Sequence, residues 1–127
     1  MGWVEEIDGL HEFFEAYFLG TEQSLERFES ALDEKFTIIG PDGAENDRAA
    51  TMQMVREAHA HTDSLKISTT DHRLLAETDE LLVATYIEHH QLHDGANHRL
   101  ATVVFRVDPE GSNGLRWLRV HETWLVD

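Results

Sequence analysis

From Leu65 onward the chain is cut into four long stretches by three short breaks, and this spacing constrains the fold more than any other feature. Residues 65–76, 81–92, 98–107 and 115–126 are rich in Val, Ile, Leu, Thr and aromatics. The breaks are Thr78-Asp79, the run His93-Asp94-Gly95-Ala96-Asn97, and residues 108–114. Strands of this length joined by Gly-, Asn- and Asp-containing loops form hairpins, so the second half of the chain predicts an antiparallel meander.

A meander needs a cover for its apolar face, and the first half supplies one. Trp3, Ile7, Leu10, Phe14, Tyr17 and Phe18 recur every three or four residues, the spacing of an amphipathic helix. Gly20 closes it and Thr21 caps a second helix with Leu25, Phe28 and Leu32 inward. Phe36-Thr37-Ile38-Ile39 reads as a short strand stopped by the turn Gly40-Pro41-Asp42-Gly43. Asp47 caps a third helix with Ala50, Met54, Val55 and Ala58 inward. The expected fold class is α+β, three N-terminal helices on a curved, mainly antiparallel sheet, with residues 1–127 as a single domain.

The last stretch, Arg116-Trp117-Leu118-Arg119-Val120-His121-Glu122-Thr123-Trp124-Leu125, is apolar on both alternate sets of positions. A strand covered by helices on one face is ordinarily wet on the other. Two apolar faces predict that the second is buried against another copy, a sheet-to-sheet homodimer.

The chain has 25 acidic and 10 basic residues, a net charge of −15. That surface repels phosphates and anionic lipids, which argues against nucleic acid and membrane partners. It also fits adaptation to high salt, where many carboxylates and few lysines hold water. Absence of cysteine excludes disulfides and thiolate chemistry. The N-terminus lacks a basic segment followed by an apolar run, so neither signal peptide nor membrane span is expected, and the predicted location is cytoplasmic. No Walker loop, dinucleotide glycine pattern or Gly-x-Ser-x-Gly occurs, and no cofactor is expected.

Phe36-Thr37-Ile38-Ile39-Gly40-Pro41-Asp42-Gly43, and the pair Arg99-Leu100-Ala101-Thr102-Val103-Val104-Phe105-Arg106 and Trp117-Leu118-Arg119-Val120-His121, carry a resemblance. Together with the element order, they resemble the nuclear transport factor 2-like superfamily, the cone-shaped α+β barrel shared with ketosteroid isomerases and SnoaL-like polyketide cyclases. The chain is also similar to the association domain of the calmodulin-dependent kinase. The resemblance implies a cavity at the wide end of the cone. Superfamily members use it for acid–base chemistry on hydrophobic molecules, for ligand binding, or for nothing.

Glu88, set among Tyr86, Ile87 and two histidines, is the leading acid–base candidate. A carboxylate in a dry pocket is poised for proton transfer. The competing reading is a salt bridge with Arg99 or Arg106. His121 and Glu122 face opposite ways on a strand, and the resemblance to the kinase association domain favours Glu122 and Trp124 inward. The isomerases' tyrosine suggests Tyr86 as orienting donor, while Tyr17 on its helix stripe reads equally as core. The expected catalytic set is Glu88, Glu122 and Tyr86. The expected ligand wall is Tyr17, Phe36, Thr102, Trp117, His121 and Trp124. The ligand is a small hydrophobic molecule, and a non-catalytic association module is the alternative. His89, His90, His93 and His98 lack the spacing of a metal site, and none is expected.

Overall fold

The structure is a computed structural model that describes residues 2–126. Helix α1 spans Trp3–Leu19, and the short α2 spans Glu26–Ala31. Strand β1 is Leu32–Ile39, β2 is Glu45–Asp47, and α3 is Arg48–Glu57. Strands β3 (Lys66–Glu77), β4 (Leu81–Leu92), β5 (Gly95–Val107) and β6 (Leu115–Trp124) complete the chain, with a 3-10 turn at Ser112–Gly114. Three helices and one six-stranded mixed sheet, ordered β2-β1-β6-β5-β4-β3, give an α+β fold. All neighbours are antiparallel except β1 and β6, which run parallel.

The four long strands match their predicted spans to within a few residues, because long runs of β-branched, aliphatic and aromatic residues bounded by turn residues are a strong signal. Two details differ. Strand β1 begins at Leu32, taking over the end of the expected second helix, and the edge strand β2 has no apolar pattern to announce it. In α3 the buried methionine is Met52, at 5% exposure, and not Met54, at 55%. Asp47 caps this helix as expected, accepting from the Ala50 amide at 2.9 Å. The inward stripe is therefore Met52 and Val55, and Met54 stands at the rim of the cavity described below.

Gly20 ends α1 in the left-handed region at φ +85°. A side chain there would place its Cβ 2.8 Å from that of Ala60, so the stop needs glycine twice over. The core lies between α1, α2 and the inner face of the sheet: Ile7, Leu10, Phe13, Phe28, Leu82, Ala84, Val103, Phe105, Leu115 and Val120 are buried. At its centre Glu6 is fully buried with all its acceptor capacity engaged. Arg27 binds it through Nη1 at 3.2 Å and Nη2 at 3.0 Å, Asn113 Nδ2 at 2.9 Å and Trp117 Nε1 at 2.9 Å. A buried charge is tolerated under such conditions.

β6 explains its own two-sided apolarity. In the β5–β6 ladder Val104 pairs with Arg119 and Phe105 with Trp117, so Leu118 is an extra residue. This bulge shifts the alternation by one. Leu115 and Trp117 point inward before it; Val120 and Glu122 point inward after it. The strand's apolar residues thus serve one face in two phases, and the sequence argument for a second buried face does not hold for this strand. Among the described residues, no helix is long and apolar enough to cross a membrane.

Candidate acid–base cavity

Inner-face positions of β4, β5 and β6 converge on a cavity of about 560 Å³. Its walls are mostly apolar: Phe14 and Phe18 from α1, Phe28 from α2, Phe36 and Ile38 from β1, and Trp117 from β6. The turn at Gly40–Asp42 and Met54 of α3 border it. One end is polar. There Glu88 and His90 of β4, Arg99 of β5, Glu122 of β6 and His11 of α1 meet. The strand register makes this meeting unavoidable, since Glu88 lies opposite Arg99, and Arg99 opposite Trp124.

His11 Nδ1 donates to the Ile7 carbonyl at 2.7 Å, and Nε2 lies 3.0 Å from Glu88 Oε1. A carbonyl only accepts, so Nδ1 carries a proton. With Nε2 facing a carboxylate, the ring is held as an imidazolium. Burial works against that charge, but the charge of Glu88 and the two hydrogen bonds outweigh it and raise the pKa above its ordinary value. The second oxygen of Glu88 accepts from His90 Nε2 at 2.5 Å. Burial alone would lift Glu88; the charge of His11 and the bonds from both histidines hold it well below the usual carboxylate range.

Glu122 behaves in the opposite way. Burial, and then the charge of Glu88, push its pKa up to about 7, against the pull of Arg99. Arg99 Nη1 is 3.6 Å from Glu122 Oε1, an ion pair too long to be a hydrogen bond. The Arg99 guanidinium carbon sits 4.7 Å from the Trp124 ring centre, a cation–π contact. Tyr86, 1% exposed, packs its ring 5.4 Å from that of His11. Burial, then the charges of Glu88 and Glu122, raise its pKa well above the ordinary value, so the phenol keeps its proton.

Tyr86, Glu88 and Glu122 thus lie at one end of the cavity, with Phe36, Trp117 and Trp124 in its wall. Three other expected wall residues sit elsewhere. Thr102 and His121 pair across β5 and β6 on the opposite face of the sheet: the bulge leaves Glu122 inward and His121 exposed, and Thr102 lies between the inward-facing Ala101 and Val103. Tyr17 is core, stacked on Phe13 at 5.3 Å. The salt-bridge partners considered for Glu88 are engaged otherwise: Arg106 Nε binds Asp33 at 2.8 Å, and Arg99 is paired with Glu122. The sequence reading missed His11 as a site residue. Its signal was position: four after Ile7 and three before Phe14, it falls on the apolar stripe of α1. Among the described residues no group of three or more ligating side chains could hold a metal.

An NTF2-like protein of unknown function from Pseudomonas aeruginosa superposes on the chain with a TM-score of 0.92 and 25% identity, covering 99% of this chain and 100% of the other. The fold is nuclear transport factor 2-like. More distant structures agree. The CaMKII hub of S. rosetta gives a TM-score of 0.70 at 17% identity over 90% of this chain and 89% of its own. A ketosteroid isomerase-like protein from Parabacteroides distasonis gives 0.62 at 14% over 88% and 83%. No family model matches the chain. No curated protein matches it in sequence. NTF2-like structures thus include isomerase-like and hub members, and the fold alone assigns neither role here.

Proposed function

We propose that this NTF2-like chain binds a small, mostly apolar molecule in the cavity and exchanges a proton with it through Glu122. The observation that carries this reading is the pair Glu88 and Glu122. Two carboxylates share the polar end of an apolar cavity, one held firmly ionised by His11 and His90, the other poised to titrate at about 7. Environments that push two like groups apart are the mark of an acid–base site. In its ionised form Glu122 takes a proton from carbon next to a ligand carbonyl. The electron pair moves to the carbonyl oxygen, and the enolate forms beside the positive charges of Arg99 and His11. In a ketone with a β,γ double bond the enolate is a dienolate, and return of the proton to its γ-carbon completes an isomerisation; in a saturated ketone it returns to the same carbon and exchange alone results. Glu88 keeps His11 charged and Tyr86 supplies a neutral wall.

The test uses 2-tetralone, a bicyclic ketone that fits the aromatic walls. Trp117 and Trp124 lie in the wall, so binding is read by quenching of tryptophan fluorescence. Deuterium uptake next to the carbonyl is followed by NMR. Wild-type protein is expected to bind and to accelerate exchange, with Glu122→Gln binding normally and losing the acceleration. Binding without acceleration removes the catalytic step; no binding at millimolar ketone removes the pocket reading as well.

The second reading is an association module, favoured by the outer face of the sheet. Outward positions Val83, Thr85, Ile87 and His89 of β4, and His98, Leu100, Thr102 and Val104 of β5, include no carboxylate in a chain with 25. An uncharged face on so acidic a molecule fits self-association. The hub likeness points the same way.

A further inference from the structure

Arg99 has donors it does not use. Its Nε is buried and has no hydrogen-bond partner. Its one ion pair, to Glu122, is 3.6 Å long. Both Glu88 oxygens are already taken by His11 and His90 and cannot turn to it. A guanidinium carries five donors and never loses its charge. Leaving such a donor dry and unpaired is unfavourable, and native structures do so rarely. This one lines the polar end of a cavity whose other walls are largely apolar, and its guanidinium carbon stands over the Trp124 ring.

The groups that face it come from two strands and one helix. His11 is positive, Glu88 is negative and spent on the histidines, Glu122 is about half protonated near pH 7, and His90 is bonded to Glu88. With Glu122 protonated, the charges of His11 and Glu88 offset each other and that of Arg99 is left over. The net effect is a positive pocket end inside a protein of charge −15. Planar recognition by a guanidinium suits one kind of partner best, a group offering two oxygens in one plane.

We propose that the ligand of this cavity is an organic acid with an apolar, ring-sized body, its carboxylate bound by the Arg99 guanidinium and its body lying among Phe14, Phe18, Phe36 and Trp117. This rests on the pocket reading above and narrows it. A carboxylate bound on the cavity side of the guanidinium replaces the long contact to Glu122 as the main partner of Arg99, and a turn of the fork toward it gives the covered Nε a partner. Phosphate esters fit less well, because their second charge would meet Glu88 with no further free cation at that end.

The experiment compares 2-naphthoate with 2-acetonaphthone, a neutral ketone on the same ring system, by tryptophan quenching and calorimetry at pH 6.5. Wild-type protein is expected to bind the acid roughly tenfold or more tightly than the ketone, in line with a charge-assisted pair of hydrogen bonds. Arg99→Gln removes that preference, through a loss of affinity for the acid larger than any loss for the ketone, and its cooperative urea unfolding shows separately that the variant is folded. Arg99→Lys, which keeps the charge but loses the planar fork, recovers only part of the preference. Equal or tighter binding of the ketone by wild-type protein overturns the proposal and leaves the pocket reading standing. So does an unchanged preference in Arg99→Gln. If neither compound binds, both readings fall together.

Discussion

His11 Nε2 lies 3.0 Å from Glu88 Oε1, although 77 residues separate the two in the chain. The contact ties the middle of α1 to the centre of β4, and it joins two charges that are each almost fully buried. Neither is stable there without the other.

Replacing His11 with Ala should therefore cost more than its few contacts suggest. Glu88 would keep only His90 and become a half-paired buried charge. We expect a loss on the order of 3 kcal/mol, read from urea unfolding at pH 7. The double change His11→Phe with Glu88→Leu should recover most of it, since a matched apolar pair removes both desolvation penalties. A single-variant loss below about 1 kcal/mol would show that the pair does not hold α1 to the sheet.

Glu122 should leave its own mark on stability against pH. Its folded pKa, about 7, is above the ordinary 4.5. Between those values the unfolded chain releases the proton and the folded one keeps it. Stability from this group then falls as pH rises from about 4.5 and levels off above 7. The whole fall is bounded at about 3 kcal/mol, lessened by coupling to Glu88 and Arg99. His11, raised from 6.5, adds stability that is full below that value and is lost as pH rises through its folded pKa. The difference between Glu122→Gln and wild type isolates the first effect. The variant should gain on wild type steadily from pH 5 to pH 7.5 in chemical denaturation. A difference independent of pH would place the Glu122 pKa at its ordinary value.

What the sequence made legible was what repetition encodes. α1 declares itself by period, the four long strands by β-rich runs between regularly placed turns, and the Asp47 cap by chemistry, and these are the elements that define the fold. The bulge at Leu118 could not be. No residue there is unusual, and one extra residue reverses the facing of everything after it, which is why Val120 and Trp117 share a face. For the same reason His121 was grouped with the cavity although it sits on the far side of the sheet, whereas Thr102 is there by the plain alternation of β5, between buried Ala101 and Val103. His11 was hidden differently, and Arg99, read as a salt-bridge partner for Glu88, was not legible as a group lining the cavity beside Glu122. Each is ordinary in its local sequence and gains meaning only from a partner on a distant element.

The outer face of β4 and β5 should carry self-association. Ile87 and Leu100 pair across it, with Leu100 37% exposed. Sedimentation at micromolar concentration is expected to give a dimer. Leu100→Asp should dissociate it, because two like charges would then be buried face to face. Ligand binding in the cavity, on the opposite side of the sheet, should survive. A wild-type monomer at that concentration would exclude the association reading.

The net charge of −15 predicts a strong dependence of stability on salt. The folded state concentrates carboxylates that the unfolded chain spreads apart, so it bears more self-repulsion. The screening length falls from about 10 Å at 0.1 M to about 3 Å at 1 M, shorter than most spacings between surface charges. Raising potassium chloride from 0.05 to 2 M should lift the melting temperature by roughly 5 °C or more, with most of the gain below about 0.5 M if screening is the cause. A gain that continues to rise through molar salt would indicate instead a surface adapted to hold hydrated ions. A melting temperature that does not move would mean that the acidic residues are spaced well enough to be neutral in effect. Neither screening nor high-salt adaptation would then describe this chain.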